Sequence, residues 1–321
     1  MSFAAKFVTI ISLIVLATGA GYLARRTGLL PERAATWVMT FVVIGGYPPV
    51  AFLSIWAAKL RASDAALPAM GAVHVAAMML VGLAVARGLE KTKPERGLFA
   101  IASSVANNGS TLGGFVLFLL FGEMGLALSS IYCLMFMPVI VLLVYPVARH
   151  HSPEAPRMPL AKLYLRSIFD LRSIGMVTTA CGIVLSAMGV ARPAFVAEYH
   201  VVDVLIFLLV AAAYFGIGLR LHVSQFGASK RHIVALACVR FGCGLAVGSA
   251  LLALTRLTPW PLTGLRGSVF LVQAFVPTAV MTVAAANMFG LNPRRASVLF
   301  VSNTVLYLVV VLPCVLWRFG G

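Results

Sequence analysis

The chain has 321 residues, of which 61% are hydrophobic and only 11% are charged. Soluble domains carry about 25% charged residues, so a chain with a mean hydropathy of +1.00 has too few polar side chains to cover a soluble globule. We therefore exclude most classes of soluble enzyme, and the net charge of +16 does not indicate nucleic-acid binding. The five cysteines lie in apolar stretches without a metal-binding spacing, so we predict reduced packing residues, no metal site and no cofactor.

Ten apolar stretches are long enough to cross a membrane. About 20 apolar residues span the hydrocarbon core as a helix, and these stretches lack the period-two alternation of barrel strands. The predicted helices are Phe7–Ala24, Ala35–Ala57, Ala65–Ala86, Leu98–Phe121, Gly125–Ala148, Ile174–Val190, His200–Leu221, Ile233–Leu254, Leu265–Phe289 and Ala296–Trp317. The sequence thus predicts an all-α, multi-pass membrane protein with ten transmembrane helices.

Basic residues are concentrated in the connections that follow the odd-numbered predicted helices. Those connections and the helix ends beside them hold 17 of the 25 Lys and Arg residues, whereas the even connections with their helix ends and both termini hold 7. Because basic residues accumulate on the cytoplasmic side of a membrane, we predict that both termini lie outside. The same charge favours contact with an anionic cytoplasmic leaflet.

A polar stretch at 149–173 separates two halves of five predicted helices each, 1–148 and 174–321. Five is an odd number of crossings, so two similar halves would lie inverted relative to each other. The matching positions, 167 or 168 residues apart, are Pro146 with Pro313, Phe121-Gly122 with Phe289-Gly290, and Asn107–Thr111 with Phe275–Ala279. We predict two inverted five-helix repeats joined by a cytoplasmic loop.

The fourth predicted helix contains the stretch SSVANNGSTLGG, an unusual composition for a membrane span. Asn107, Asn108 and Gly109 are poor helix formers, and freed backbone groups are tolerated in a membrane only where they face protein or a water-filled cavity. The stretch therefore predicts a helix break that lines a cavity. The alternative is a helix-packing face, because Gly109 and Gly113 have the GxxxG spacing.

The ninth predicted helix has a second break, at Pro277 within QAFVPTAVMTVAAANMFG. Interrupted helices at corresponding positions of two inverted halves are typical of substrate sites near the bilayer midplane. The half-helix N-termini at such a crossing favour an anion. The predicted substrate-binding residues are Asn107, Asn108, Gly109, Gln273, Pro277, Thr278, Asn287 and Arg240.

Arg240 lies inside the eighth predicted helix, roughly 10 Å along the helix from Ile233. Its side chain would either extend to the lipid headgroups or serve the substrate path, by attracting the anion in an inward-facing vestibule or by capping a broken half-helix. His74 and Asp203 are candidate proton carriers. For His74 the alternative is a hydrogen-bonded packing residue, and for Asp203 an interfacial position.

The chain resembles the auxin efflux carrier family. The first two helices of that family are similar to GYLARRTGLLPERAATWVMTFVVIGGYPPVAFLSIW, the fourth and fifth to NNGSTLGGFVLFLLFGEMGLALSSIY, and the ninth and tenth to LVQAFVPTAVMTVAAANMFGLNPRRASVLFVSNTVLYL. The resemblance covers nearly the whole chain. It implies a carrier of the bile/arsenite/riboflavin transporter-like superfamily in a bacterial inner (plasma) membrane, with crossing fourth and ninth helices and substrates such as indole-type acids or dicarboxylates. The family usually has a proline near the position of Gly113-Gly114-Phe115.

The predicted function is a secondary transporter that moves a small organic anion by alternating access at the crossed broken helices. A sodium-coupled symporter of the bile-acid type would share this architecture, but no Asp or Glu lies in the fourth or ninth predicted helix. A polytopic membrane enzyme is a weaker alternative, because the sequence contains no catalytic motif such as HExxH or GxSxG. Substrate identity, direction, coupling ion and oligomeric state, including a homodimer, stay open.

Overall fold

The computed structural model describes residues 3–31, 33–109, 112–152, 174–221 and 229–319. Within these ranges the regular secondary structure is helical, apart from one isolated β-bridge. The helices are α1 Phe3–Arg26, α2 Ala34–Trp56, α3 Ala62–Leu89, α4 Lys93–Ser104, α5 Gly113–His151, α6 Ile174–Ala187, α7 Ala194–Glu198, α8 Val201–Leu219, α9 Lys230–Thr255, α10 Gly264–Ala274, α11 Met281–Met288 and α12 Pro293–Phe319.

Six of these helices are long and apolar enough to cross a membrane, namely α2, α3, α5, α8, α9 and α12. They indicate a membrane-embedded, all-helical protein. Of the predicted loop at 149–173, residues 149–151 continue α5 and Ser152 ends it, while 153–173 lie outside the described residues.

The fourth and fifth predicted helices are divided differently in the structure. The fourth, Leu98–Phe121, is two pieces: α4 ends at Ser104 and α5 begins at Gly113. The fifth does not begin separately at Gly125, because it follows the segment 113–121 through a bend at Gly122 with φ 63° and ψ −155°. A backbone with this positive φ is readily adopted only by glycine. The ninth predicted helix is likewise two pieces, α10 and α11.

Three of the long helices contain a π-helical stretch that ends two positions before a proline. Phe41–Gly46 precedes Pro48, Ile140–Val144 precedes Pro146 and Tyr307–Val311 precedes Pro313. Proline has no amide hydrogen and its ring clashes with the carbonyl four residues earlier. The wider π-helical turn accommodates the ring, so each helix continues past its proline with a local distortion.

Helices α1, α2, α6 and α8 pack together, and we call them the four-helix group. The contact between α1 and α8 is a close backbone approach. A Cβ atom at Gly218 would lie 2.1 Å from the carbonyl oxygen of Thr18, and one at Gly21 would lie 2.1 Å from that of Phe215. Small residues of this kind let membrane helices pack at short distance.

Helices α3, α4, α5, α9, α10, α11 and α12 form a second set, which we call the crossing group. In it, α4 packs on α3 and on the end of α5, α10 packs on α5 and α9, and α11 packs on α12. The two interrupted helical pairs, α4 with the segment 113–121 and α10 with α11, therefore lie in the interior of this group. Their interruptions meet.

Candidate functional site

The two helix breaks are joined through their backbones. Ala106 and Thr278 form an antiparallel bridge, in which the amide of Asn107 donates to the carbonyl of Pro277 at 2.8 Å and the amide of Ala279 donates to that of Val105 at 2.9 Å. Backbone groups released by an interruption are costly in a membrane unless another group satisfies them. Each break here satisfies donors or acceptors of the other.

The break between α4 and α5 is closed by glycine. The amide of Gly113 donates to the carbonyl of Asn107 at 3.0 Å, and the amide of Gly114 donates to the carbonyl of Gly109 at 2.8 Å. A Cβ atom at Gly113 would lie 2.4 Å from Oε1 of Gln273, so a side chain has no room there. The GxxxG interpretation is wrong: Gly109 lies in the break and Gly113 begins the next helix, so they share no helix face. Ser110 and Thr111 lie outside the described residues.

Arg240 of α9 binds the C-terminal ends of both first half-helices. Its Nη1 donates to the carbonyl of Ser103, in the last turn of α4, at 3.0 Å. On the other side, Nε donates to the carbonyl of Val276 at 3.1 Å and Nη2 contacts the carbonyls of Val276 and Ala274 at 2.5 and 3.5 Å. A cation at helix C-termini is favourable because these ends carry partial negative charge.

The burial of Arg240 corrects two of its predicted roles. The residue is 0% exposed, so its side chain does not extend to the lipid headgroups. Its guanidinium also does not line the cavity described below, where it would attract an anion directly. The geometry matches the third interpretation, in which Arg240 caps the broken half-helices.

Asn303 of α12 is a site residue that the sequence analysis missed. Its Oδ1 accepts the amide hydrogen of Thr278 at 2.9 Å, one residue after Pro277. The hydroxyl of Thr278 in turn donates to the carbonyl of Val105 at 3.3 Å and contacts that of Thr282 at 3.1 Å. The polar run Ser302-Asn303-Thr304 inside an otherwise apolar helix is the sequence signal that would have found it.

Gln273, the second-last residue of α10, connects the two breaks on the side away from the cavity described below. Its Nε2 donates to the carbonyl of Asn108 at 3.0 Å and to Oγ of Ser129 at 2.7 Å. Ser129 donates to the same Asn108 carbonyl at 3.2 Å. Gln273 is 0% exposed, so its amide holds the break between α4 and α5 in position and does not face open space.

A cavity of about 400 Å³ lies between the four-helix group and the crossing group. Four predicted binding residues line it: Asn107, Asn108, Gly109 and Asn287. The other four do not, namely Gln273, Pro277, Thr278 and Arg240. These four lie next to the breaks or within their pairing, where they bind backbone groups of the crossing, and their contact with a substrate stays a prediction.

Several polar lining residues come from helices that the sequence analysis did not single out. They are Thr36, Thr40, Tyr47, Ser130, Thr179 and Arg220. Arg220 is the only charged side chain among the described lining residues, and its Nη2 donates to Oγ1 of Thr36 at 2.9 Å. No local pattern distinguishes these hydroxyls from others in apolar helices, because only the packing of the two groups brings them together.

The cavity opens on one face of the molecule. Thr36 and Asn287 are exposed, whereas Asn108, Ser130 and Thr179 are buried at the inner end. We call the side with Thr36 and Asn287 the mouth face. Val280, which precedes α11, and Met281, its first residue, line the cavity. The electropositive N-terminus of this half-helix therefore points towards the cavity, while Arg240 binds the electronegative C-terminal ends of α4 and α10.

The two candidate proton carriers lie away from the cavity. His74 is 1% exposed, with Nε2 3.3 Å from the carbonyl of Gly244 and its ring edge-on to Phe270. This geometry matches the alternative given for His74, a hydrogen-bonded packing residue. Asp203 pairs with His200 at 3.2 Å near the start of α8, where both side chains are well exposed.

The chain matches no protein-family model, and no curated protein is significantly similar to it.

Proposed function

We propose that this protein is a secondary transporter of the auxin efflux carrier type, which moves a small organic anion across a bacterial inner membrane. The observation that carries the proposal is the crossing itself. Two interrupted helices pair through Asn107 and Pro277, and a cavity of about 400 Å³ lies directly beside them. Non-helical backbone at membrane depth is typical of substrate sites in transporters built from inverted repeats.

The proposed architecture has ten crossings in two inverted repeats. The six long apolar helices supply six crossings once α5 is counted from its bend at Gly122. The other four are α1, α6, the pair α4 with the segment 113–121, and the pair α10 with α11. Each repeat, 1–148 and 174–321, then contributes five crossings.

Two conformational matches support the repeat. Gly122 and Gly290, 168 residues apart in sequence, both follow a half-helix and have φ angles of 63° and 64°. Pro146 and Pro313, 167 residues apart, each follow a π-helical stretch. These are the positions that the sequence alignment of the two halves pairs.

The chemistry of the cavity favours an anion with an apolar body. The N-terminus of α11 carries partial positive charge, the amides of Asn107, Asn108 and Asn287 are hydrogen-bonding groups, and Arg220 is the one charged lining residue among those described. Methionine, phenylalanine and valine side chains form most of the remaining wall. A carboxylate would meet these polar groups while its carbon skeleton contacts the wall.

The position of the cavity supports alternating access. Its wall is divided between the four-helix group and the crossing group, and its exposed lining residues Thr36 and Asn287 lie at the mouth face. Relative movement of the two groups would close that opening and expose the same site on the other side. We propose that the mouth face is cytoplasmic, because Thr36, Arg220 and Asn287 lie near the basic connections, and that both termini lie outside.

Sodium coupling of the bile-acid type is the second candidate. Among the described lining residues there is no carboxylate. At the crossing, the side-chain nitrogen of Gln273 already donates to two oxygens, those of the Asn108 carbonyl and the Ser129 hydroxyl. A site for a cation would need oxygen ligands turned inward, usually with a carboxylate. We therefore propose transport that does not depend on sodium.

Transport by purified protein in liposomes tests this function. We expect uptake of at least one labelled monocarboxylate or dicarboxylate, at equal rates with and without a sodium gradient. A rate that requires sodium would favour the symporter. No uptake of any anion in the panel, by protein that remains folded, would contradict the proposal. A reporter fused after Gly321 tests the orientation, and a cytoplasmic signal would overturn it.

A further inference from the structure

Arg192 joins the two helix groups through an ion pair with Glu123. Its Nη1 donates to Oε2 of Glu123 at 2.6 Å and also to the carbonyl of Leu53, on α2, at 3.1 Å. Arg192 lies in the connection after α6, and its side chain is 11% exposed. Glu123 directly follows the bend at Gly122 in α5, and its side chain is 32% exposed. Arg192 is thus anchored on the four-helix group and reaches across to the crossing group.

Every other ion pair between described residues stays within one group. His200 with Asp203 belongs to the four-helix group. Those of the crossing group and its connections are Asp64 with Arg266, Glu90 with Arg295, Glu95 with Arg295, and Glu90 with His232. The pair of Arg192 and Glu123 is therefore the single described ionic contact that relative movement of the two groups would break.

This pair lies on the face opposite the mouth of the cavity. Thr36, at the mouth, and Leu53, which binds Arg192, are both on α2 and lie roughly 25 Å apart along the helix. Likewise Gly175 and Thr179 line the cavity near the start of α6, whereas Arg192 follows the end of that helix. The cavity is open at one end of these helices. At the other end the ion pair joins the four-helix group to the crossing group.

We propose that Arg192 and Glu123 form a latch that keeps the face opposite the mouth closed, and that the latch breaks when the cavity opens to that face. The inference rests on the alternating access proposed above. A partly exposed ion pair contributes little to stability, which suits a contact that forms and breaks in every cycle. A fully buried pair would hold one state much more strongly, because breaking it leaves uncompensated charge.

Cys133 provides a natural reporter for the test, because it lines the cavity. The other cysteines are changed to serine: Cys181, Cys238, Cys243 and Cys314. A charged, membrane-impermeant methanethiosulfonate is then applied to either face of sealed vesicles, and the rate of Cys133 modification is measured. This measurement needs no knowledge of the substrate.

In this four-serine parent, with Glu123 and Arg192 unchanged, we expect Cys133, which is only partly exposed, to react slowly and mainly from the mouth face. Glu123→Gln and Arg192→Gln should each raise the rate from the opposite face about twofold to fivefold, as the loss of an ion pair of this exposure predicts. The exchanged pair, Glu123→Arg with Arg192→Glu, should bring the rate back towards that of the parent. The control is Glu198→Gln, an exposed acid on the same face whose change should leave the rate unaltered.

Unchanged rates from the opposite face in both single variants would overturn the latch, as would an equal increase in Glu198→Gln. If either variant fails to fold, the parent protein supplies a second measurement. Salt screens a partly exposed pair, so the rate from the opposite face should rise with ionic strength, and a rate independent of salt would contradict the proposal. These results are separate from the function: a parent without anion transport refutes the transporter, whereas altered transport with unaltered labelling refutes only the latch.

Discussion

The guanidinium of Arg240 lies 3.0 Å from the carbonyl oxygen of Ser103, although 137 residues separate them in sequence. The same side chain binds the carbonyl of Val276, beyond the end of α10. One arginine thereby joins the electronegative ends of two half-helices that belong to opposite halves of the chain. Its removal would leave buried carbonyl groups without donors on both sides of the crossing.

We therefore expect Arg240→Gln to destabilise the protein by about 2–4 kcal/mol, since hydrogen bonds to charged groups contribute ~1.5–3 kcal/mol each. Transport should fall with it, because the crossing loses its alignment. Arg240→Lys should retain part of both the stability and the transport, because lysine keeps the charge but lacks the several N–H donors of the guanidinium.

Arg256→Gln, an exposed position at the end of the same helix, is the control and should change stability by less than ~0.5 kcal/mol. Thermal unfolding in detergent and liposome uptake at matched protein amounts would measure these effects, and a parent-like Arg240→Gln would contradict the cap.

Asn303→Ala should weaken the second break. The substitution removes the acceptor of the Thr278 amide hydrogen and leaves that buried donor unsatisfied, at a cost of ~1–3 kcal/mol. The neighbouring Ser302→Ala is a matched control, because its hydroxyl donates only to carbonyls of its own helix, at 2.7 and 3.3 Å. We expect a lower unfolding midpoint for Asn303→Ala than for Ser302→Ala. Equal midpoints would show that Thr278 finds another acceptor.

Gly113→Ala should be poorly tolerated, whereas Gly109→Ala should not. A Cβ atom at Gly113 would meet Gln273 at 2.4 Å and the Asn108 backbone at 2.9 Å, while one at Gly109 meets no described atom within 4 Å. Overpacking of this kind costs ~1–3 kcal/mol. Unfolding midpoints of the two variants, measured side by side, test the difference. A Gly113→Ala protein as stable as Gly109→Ala would mean that the break rearranges freely.

Asn108→Ala should impair transport without a comparable loss of stability. Its backbone carbonyl, which binds Gln273 and Ser129, is kept in alanine, and its amide oxygen has no hydrogen-bond partner among the described residues. If the side chain contacts the anion, loss of one hydrogen bond should raise the apparent KM about five- to tenfold.

Asn292→Ala is the control for Asn108→Ala, because it should show the opposite pattern. Asn292 caps α12 through the amide of Arg295 and does not line the cavity. Its loss should cost ~1 kcal/mol of stability and leave the apparent KM unchanged. An unchanged KM in Asn108→Ala would remove that side chain from the substrate site.

Local composition was sufficient for much of the fold. Long apolar runs predict membrane helices because the bilayer imposes a length on them, and Pro277 and the Asn107-Asn108-Gly109 run predict breaks because these residues disfavour helix wherever they occur. Both breaks are present, between Ser104 and Gly113 and between Ala274 and Met281. The glycine at 122 and its counterpart at 290 were also visible in the sequence as a repeated Phe-Gly pair.

Only the tertiary structure decided which groups meet at the crossing. The sequence left three roles for Arg240, and it gave no reason to connect Thr278 with Asn303 or Glu123 with Arg192. It also assigned Gln273 and Thr278 to the substrate, although both are 0% exposed. The physical reason is that hydrogen bonds within a helix join residues four positions apart, so local composition determines them. Contacts between helices join residues that lie from 25 positions apart, as in Thr278 with Asn303, to 137, as in Arg240 with Ser103. They exist only once the helices have packed.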